Sequence, residues 1–146
     1  MADKLETALK FLNLMSLGID AQRDLEICDD MVKIIYSHPR KYGCGAGKYM
    51  IGQIGIGNDN EIRAYNFKIE LNSMHPVNIE CSEEFGWPYK IAASFNYETD
   101  DPATVIAGAA KVRECLKKSI ATIEKGEAAL DEMLEKLKKI SEEVNN

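Results

Sequence analysis

The chain has 146 residues, of which 45% are hydrophobic, and its formal net charge is −6. This length and composition suit a single domain with its own core and argue against a globally disordered chain. The acidic balance argues against a protein that wraps long DNA or RNA, and no run approaches the ~20 apolar residues that a membrane span needs. No export signal opens the chain, so a cytoplasmic location is expected (the host cytoplasm, if the gene belongs to a phage).

The N-terminal part of the sequence predicts two helices. Leu5, Leu9 and Leu12 recur at helical spacing in the first of them. The second helix is predicted to begin at Asp20 and to end before His38-Pro39, because the residue before a proline disfavours helix. Its predicted apolar stripe consists of Ala21, Leu25, Cys28, Val32 and Ile35.

A glycine-rich segment, KYGCGAGKYMIGQIGIGN at 41–58, resembles a phosphate-binding loop. Tyr42 and Tyr49 occupy the positions that a Walker A motif gives to its first glycine and its magnesium-binding hydroxyl, and a predicted strand follows where a helix is required. These departures argue against nucleotide hydrolysis. Two interpretations remain open: a flexible entry to the sheet, or a secondary anion site. The anion site would combine backbone N–H groups with the following cations: Arg40, Lys41 and Lys48.

The middle of the chain predicts an antiparallel meander of three or four strands with one polar face. Alternation with a period of two begins at Tyr49, and residues 57–60 form a turn signal. Longer alternating runs cover 63–71 and 89–97, and a shorter strand is expected near Ile79. With its flanking helices, the sequence therefore predicts an α+β fold in one domain over the whole chain.

A heptad pattern covers residues 102–144, after a helix cap at Asp100 or Asp101. An unbroken helix of this length would be ~60 Å long, which exceeds the ~40 Å span of so small a domain. Part of it should project and pair with a second copy. The alternative is a break at Gly126 and a fold back onto the domain. The two seam positions are occupied by Ala109, Leu116, Ile123, Leu130, Leu137 and Val144, and by Val105, Val112, Ser119, Gly126, Met133 and Ile140.

Catalytic and metal-binding patterns are missing from the sequence. The four cysteines have no metal-site spacing, and His38 and His75 each precede a proline. Cys44 in its basic loop has no visible base partner. We therefore expect no enzyme activity, no cofactor, no metal and reduced thiols.

Several side chains between residues 63 and 117 fit a nucleotide pocket. Arginines at 63 and 113 would clamp phosphates, one aromatic of the loop that holds Phe85, Trp87 and Tyr89 would stack on a base, and Asn96 would read it through its amide. Lys117 lies one helical turn after Arg113 and shares its face. An alternative for Phe85 is that the aromatic loop around it folds back as a lid on the core.

The order Arg63, Phe85, Asn96, Arg113, together with the small size, the antiparallel sheet and the long C-terminal helix, resembles the phage Thoeris anti-defence proteins. That resemblance covers roughly residues 45–120. It implies a non-catalytic sponge that binds a cyclic ADP-ribose signal at a dimer interface, or in a higher homo-oligomer, and so inhibits bacterial anti-phage defence.

Two other functions remain open from the sequence. The acidic charge suits a small dimeric inhibitor or adaptor that binds a basic site on a protein, as anti-CRISPR proteins do. The heptad pattern also suits a structural component of an oligomer.

Overall fold

In the computed structural model, the described residues are 4–15, 18–19, 21–28, 31–39, 48–57, 59–66, 68–70, 78–80 and 90–145. They form two helices and seven strands. In chain order these are α1 (Lys4–Met15), β1 (Gln22–Cys28), β2 (Met31–Pro39), β3 (Lys48–Ile56), β4 (Glu61–Asn66), β5 (Lys68–Glu70), β6 (Asn78–Glu80), β7 (Lys90–Asn96) and α2 (Pro102–Asn145).

Five of the strands form one antiparallel sheet in the order β1-β2-β3-β4-β7, and β5 and β6 form a separate hairpin. The predicted α+β class and antiparallel arrangement are confirmed, while the predicted three or four strands are too few. The predicted single strand over 63–71 is also wrong, because β4 ends at Asn66 and β5 pairs only with β6 among the described strands.

The predicted second helix is wrong, because its residues form the hairpin of β1 and β2. The same residues also fit a second pattern, in which the buried Val32, Ile34 and Tyr36 alternate with the half-buried Met31, Lys33 and Ile35. Branched and aromatic side chains favour a pleated strand. In β2 these three side chains share one face and are buried, so the period of two determines the structure.

Both described helices pack on the same face of the five-stranded sheet, which we call the covered face. The opposite face, which carries residues such as Arg63 and Ser94, is called the outer face. The core lies between the sheet and the helices. Its largest fully buried side chains are Phe11, Met15, Ile34, Tyr36, Ile51, Ile54, Ile56, Ile62, Leu116 and Ile123.

Asp101 caps the N-terminus of α2 and is one of the two candidates, Asp100 and Asp101, that the sequence predicts. Its Oδ1 accepts a hydrogen bond of 2.7 Å from the backbone N–H of Thr104. That hydrogen bond lowers the pKa of the Asp101 carboxyl, because it favours the ionised form. Pro102 occupies the first helical position, where a missing N–H is harmless.

From this cap, α2 runs for 44 residues without a break at Gly126. Its buried residues fall between Val105 and Glu127, and from Ala128 to Asn145 every position is exposed or half-buried. A helix of this length spans ~66 Å. The first part of α2 therefore belongs to the core, and its C-terminal part extends beyond the buried region.

Candidate functional site

Arg63 lies on the outer face, because its neighbours along β4, Ile62 and Ala64, are fully buried on the covered face. Its Nε donates a 3.1 Å hydrogen bond to Oε1 of Glu61. The Ser94 hydroxyl donates to the same oxygen from β7 at 3.2 Å. The hydrogen bond and then the charge of Glu61 raise the pKa of Arg63. The arginine that was predicted to clamp phosphate thus has a carboxylate beside it.

Asn96 ends β7 and organises the connection to α2. Its Oδ1 accepts hydrogen bonds from the backbone N–H groups of Glu98 and Thr99, at 2.9 and 3.1 Å. Its Nδ2 donates to the carbonyl of Asp59 at 3.0 Å. The amide that was predicted to read a base therefore joins two turns of the protein itself.

Arg113 and Lys117 lie on α2, which packs on the covered face. Arg113 is half-buried and Lys117 is exposed. Lys117 extends toward Gly18, the third residue after the end of α1, since a Cβ atom at Gly18 would stand 3.5 Å from Lys117 Nζ. Arg63 and Arg113 thus lie on opposite sides of the sheet, and one pocket containing both would need residues from two chains.

The remaining predicted site residues divide between the described and the undescribed parts of the chain. Phe85, Arg40 and Lys41 lie outside the described residues. Lys48 begins β3, and its Nζ lies 3.8 Å from Oδ2 of Asp24. Both of these side chains are largely exposed, so the pair contributes little to stability. The glycine-rich segment contains the whole of β3 (Lys48–Ile56), which pairs antiparallel with the preceding β2. A Walker A motif instead lies between a strand and a helix.

The structure has a groove between α1 and β1 that the sequence did not predict. It encloses about 480 Å³. The predicted helix over this part of the chain gave no indication of the groove, in which Leu25 of β1 lies across from Leu9 and Leu12 of α1. Its lining residues are Leu9, Leu12, Asn13, Arg23, Asp24, Leu25 and Ile34.

No protein family, curated protein or solved structure matches the chain. Among the described residues, no helix is both long and apolar enough to cross a membrane. The described side chains of histidine, cysteine, aspartate and glutamate also form no cluster of three or more that would hold a metal ion.

Proposed function

We propose that this protein binds other protein chains through the C-terminal part of α2, and that its first partner is a second copy of itself. The observation that carries the proposal is a row of exposed apolar side chains beyond the core. We call this row the C-terminal seam; it consists of Met133, Leu137, Ile140 and Val144. Val144, at its end, is 79% exposed.

The seam has the spacing of a coiled coil. Its members are separated by four, three and four residues, which keeps them on one side of a helix. Leu134 is also exposed and widens the stripe. A helical segment this short is marginal in water by itself. Burial of each large apolar side chain contributes roughly 1.5–3 kcal/mol, so a partner would stabilise this part of α2.

The charges beside the seam favour an antiparallel pair of helices. In that arrangement Leu137 of each copy packs beside Ile140 of the other, and Met133 packs beside Val144. Lys136 then lies near Glu143 of the second copy, and the symmetric contact repeats it. In a parallel pair Lys136 would instead lie near Ser141, without a charge partner. Antiparallel pairing therefore satisfies both the apolar and the charged positions.

The decisive experiment compares the wild-type chain with Leu137→Glu by sedimentation equilibrium. The wild-type chain should be dimeric and the variant monomeric, with circular dichroism showing that the sheet and most of α2 remain folded. Lys138→Glu, on the polar side of the same helical turn, is the matched control and should stay dimeric. A monomeric wild-type chain, or a Leu137→Glu variant that is still dimeric, would contradict the proposal.

A second candidate function is the non-catalytic sponge for a cyclic ADP-ribose-type nucleotide. It is favoured by Arg63, whose side chain is 58% exposed on the outer face beside Tyr65. A cation next to an aromatic ring is a suitable contact for a phosphate and a base. Because Arg113 lies on the covered side, this candidate depends on a homo-oligomer that brings Arg63 of one chain near Arg113 of another.

Its test is ligand capture. The purified protein is mixed with a panel of cyclic nucleotides and cyclic ADP-ribose isomers, separated, denatured, and the released compounds are identified. Release of intact ligand supports the sponge, and a converted product would instead indicate an enzyme. Arg63→Ala and Arg113→Ala should each abolish capture, whereas Lys10→Ala on α1 should not. A protein that captures nothing and shows no thermal shift contradicts this candidate.

A further inference from the structure

Within the described part of the chain, the main sheet ends at β1. In the order of the described strands β1 is terminal, so the backbone groups on its outer side are not used by the described sheet. Two of its apolar side chains are also accessible: Leu25 is 40% exposed and Ile27 is 68% exposed. Such an edge offers a template on which another extended chain can pair.

The two sides of this edge differ in chemistry. Leu25 and Ile27 are in register with the buried Ile34 and Val32 of β2 and therefore belong to the covered face. There the edge adjoins the α1–β1 groove, whose apolar lining includes Leu9 of α1. A side chain of an added strand that points to this side opposite Leu25 or Ile27 would lie beside apolar groups, with the exposed Arg23 at the start of the edge.

The outer side of the same edge is acidic. Asp24 and Glu26 alternate with the apolar residues and are exposed. Each has a lysine on its inner side: Lys48 Nζ is 3.8 Å from the Asp24 carboxylate, and Lys33 is in register with Glu26. An added strand would approach from the opposite side, where the described sheet ends. The two carboxylates would therefore be the nearest charges to its side chains.

We propose that β1 binds an extended peptide segment of a partner protein by strand addition, and that this segment alternates apolar and basic residues. Its backbone hydrogen-bonds to the outer edge of β1. Its apolar side chains lie beside Leu25 and Ile27 above the groove, and its lysines or arginines lie across from Asp24 and Glu26. Opposite charges at facing positions of neighbouring strands are favourable, and like charges are not.

The same charges disfavour a second copy at this edge. If β1 paired antiparallel with its own copy around Leu25, Asp24 would face Glu26. If the pair were centred on either acidic residue, that residue would face itself. Like charges therefore oppose each other in each of these registers, which is why the proposed occupant is a basic segment and not a second β1.

The test uses two labelled seven-residue peptides, matching the length of β1. One alternates lysine and valine, and the other carries glutamate in place of each lysine. Fluorescence anisotropy should show binding of the lysine peptide and ~10-fold weaker binding of the glutamate peptide, as expected when the two cross-strand charge pairs with Asp24 and Glu26 change from favourable to unfavourable. Amide hydrogen exchange within 22–28 should slow only with the lysine peptide.

A charge-reversal variant separates recognition from a structural effect. In Asp24→Lys/Glu26→Lys, which changes only exposed side chains, the preference should reverse in favour of the glutamate peptide. Ile27→Lys should weaken binding of either peptide. The proposal is overturned if the wild-type chain does not bind the lysine peptide, or if the preference fails to reverse in the charge-reversal variant. It is also overturned if the wild-type chain is a dimer and Ile27→Lys makes it monomeric. The last outcome would place a second copy at this edge.

Discussion

The ring of Phe95 lies against the backbone of α2 at Gly108, where a Cβ atom would stand 2.8 Å from Cε1 of the ring. Phe95 is buried, and its ring centroid is 5.7 Å from that of Phe11 on α1. The Phe95 side chain thus joins β7 to both helices. A glycine within a helix is unfavourable by itself, so its place here is explained by the close approach of the ring.

The first prediction follows from this contact. Gly108→Ala should lower the free energy of unfolding by about 1–2 kcal/mol, because overpacking outweighs the helix propensity that alanine gains. Urea denaturation measures the change. In a Phe95→Leu background, which removes the ring, the same substitution should be neutral or stabilising. Equal destabilisation in both backgrounds would show that the ring is not the cause.

A second prediction concerns the hydrogen bond between α1 and the turn after β3. Thr7 Oγ1 donates to Oδ1 of Asn60 at 3.2 Å, and both residues are buried. Thr7→Val should destabilise the fold by about 1–3 kcal/mol, because it leaves a buried acceptor without its donor. Thr7→Ser keeps the hydroxyl and should cost less. Thermal unfolding of the two variants distinguishes the hydrogen bond from the packing of the side chain.

The third prediction is a pH dependence that arises from Tyr36. Burial raises the pKa of its hydroxyl from 10.0 to about 12, and the charge of Arg23 partly opposes this shift. The unfolded chain releases this proton more readily. The free energy of unfolding therefore keeps the full contribution of the protonated Tyr36 below about pH 10, and this contribution is lost as pH rises through about 12.

Comparing the stability of the wild type with that of Tyr36→Phe as pH rises separates the effect of Tyr36 from the effects of the other tyrosines. The Tyr36 hydroxyl is buried and has no hydrogen-bond partner in the part of the chain that the structure describes. The phenylalanine variant should therefore be as stable as the wild type at pH 7, or more stable by up to ~1 kcal/mol. Above pH 10 its advantage should grow. An advantage that is constant over this range, or equal to that of Tyr97→Phe, would contradict the prediction.

The fourth prediction tests the direction of pairing at the C-terminal seam. Lys136→Glu should weaken an antiparallel dimer by about 1 kcal/mol, or roughly fivefold in Kd, because it places like charges beside Glu143 of the second copy. Lys136→Glu/Glu143→Lys should restore it. Sedimentation measures both. A single variant that dimerises like the wild type would favour parallel pairing, in which Lys136 faces Ser141.

The secondary structure could be predicted where the apolar residues followed only one periodicity. The heptads and the cap at Asp100 or Asp101 before Pro102 predicted α2, and the alternation from Tyr49 predicted β3. In residues 21–35 the apolar residues satisfied a helical stripe as well as the alternation of a strand. Only the pairing of β2 with β3 and burial against the helices decide between these two patterns.

The candidate site was harder to predict, because its geometry depends on contacts between distant elements. Arg63 points away from α2 because β4 pairs with β3 and β7 in a register that buries Ile62. The amide of Asn96 is directed to Asp59 by the turn after β3. Neither fact is encoded in the spacing of Arg63, Asn96 and Arg113 along the chain.

Because α2 is continuous through Gly126, a straight helix would keep its C-terminal seam at a constant distance from the core of the domain. From Glu127 to Asn145 the helix rises ~27 Å, and no turn or linker interrupts it. Two chains joined at their C-terminal seams would therefore hold their β1 edges at a constant separation. A target that presents two suitable segments at that spacing would be bound far more tightly than one with a single segment, so the helix would act as a molecular ruler.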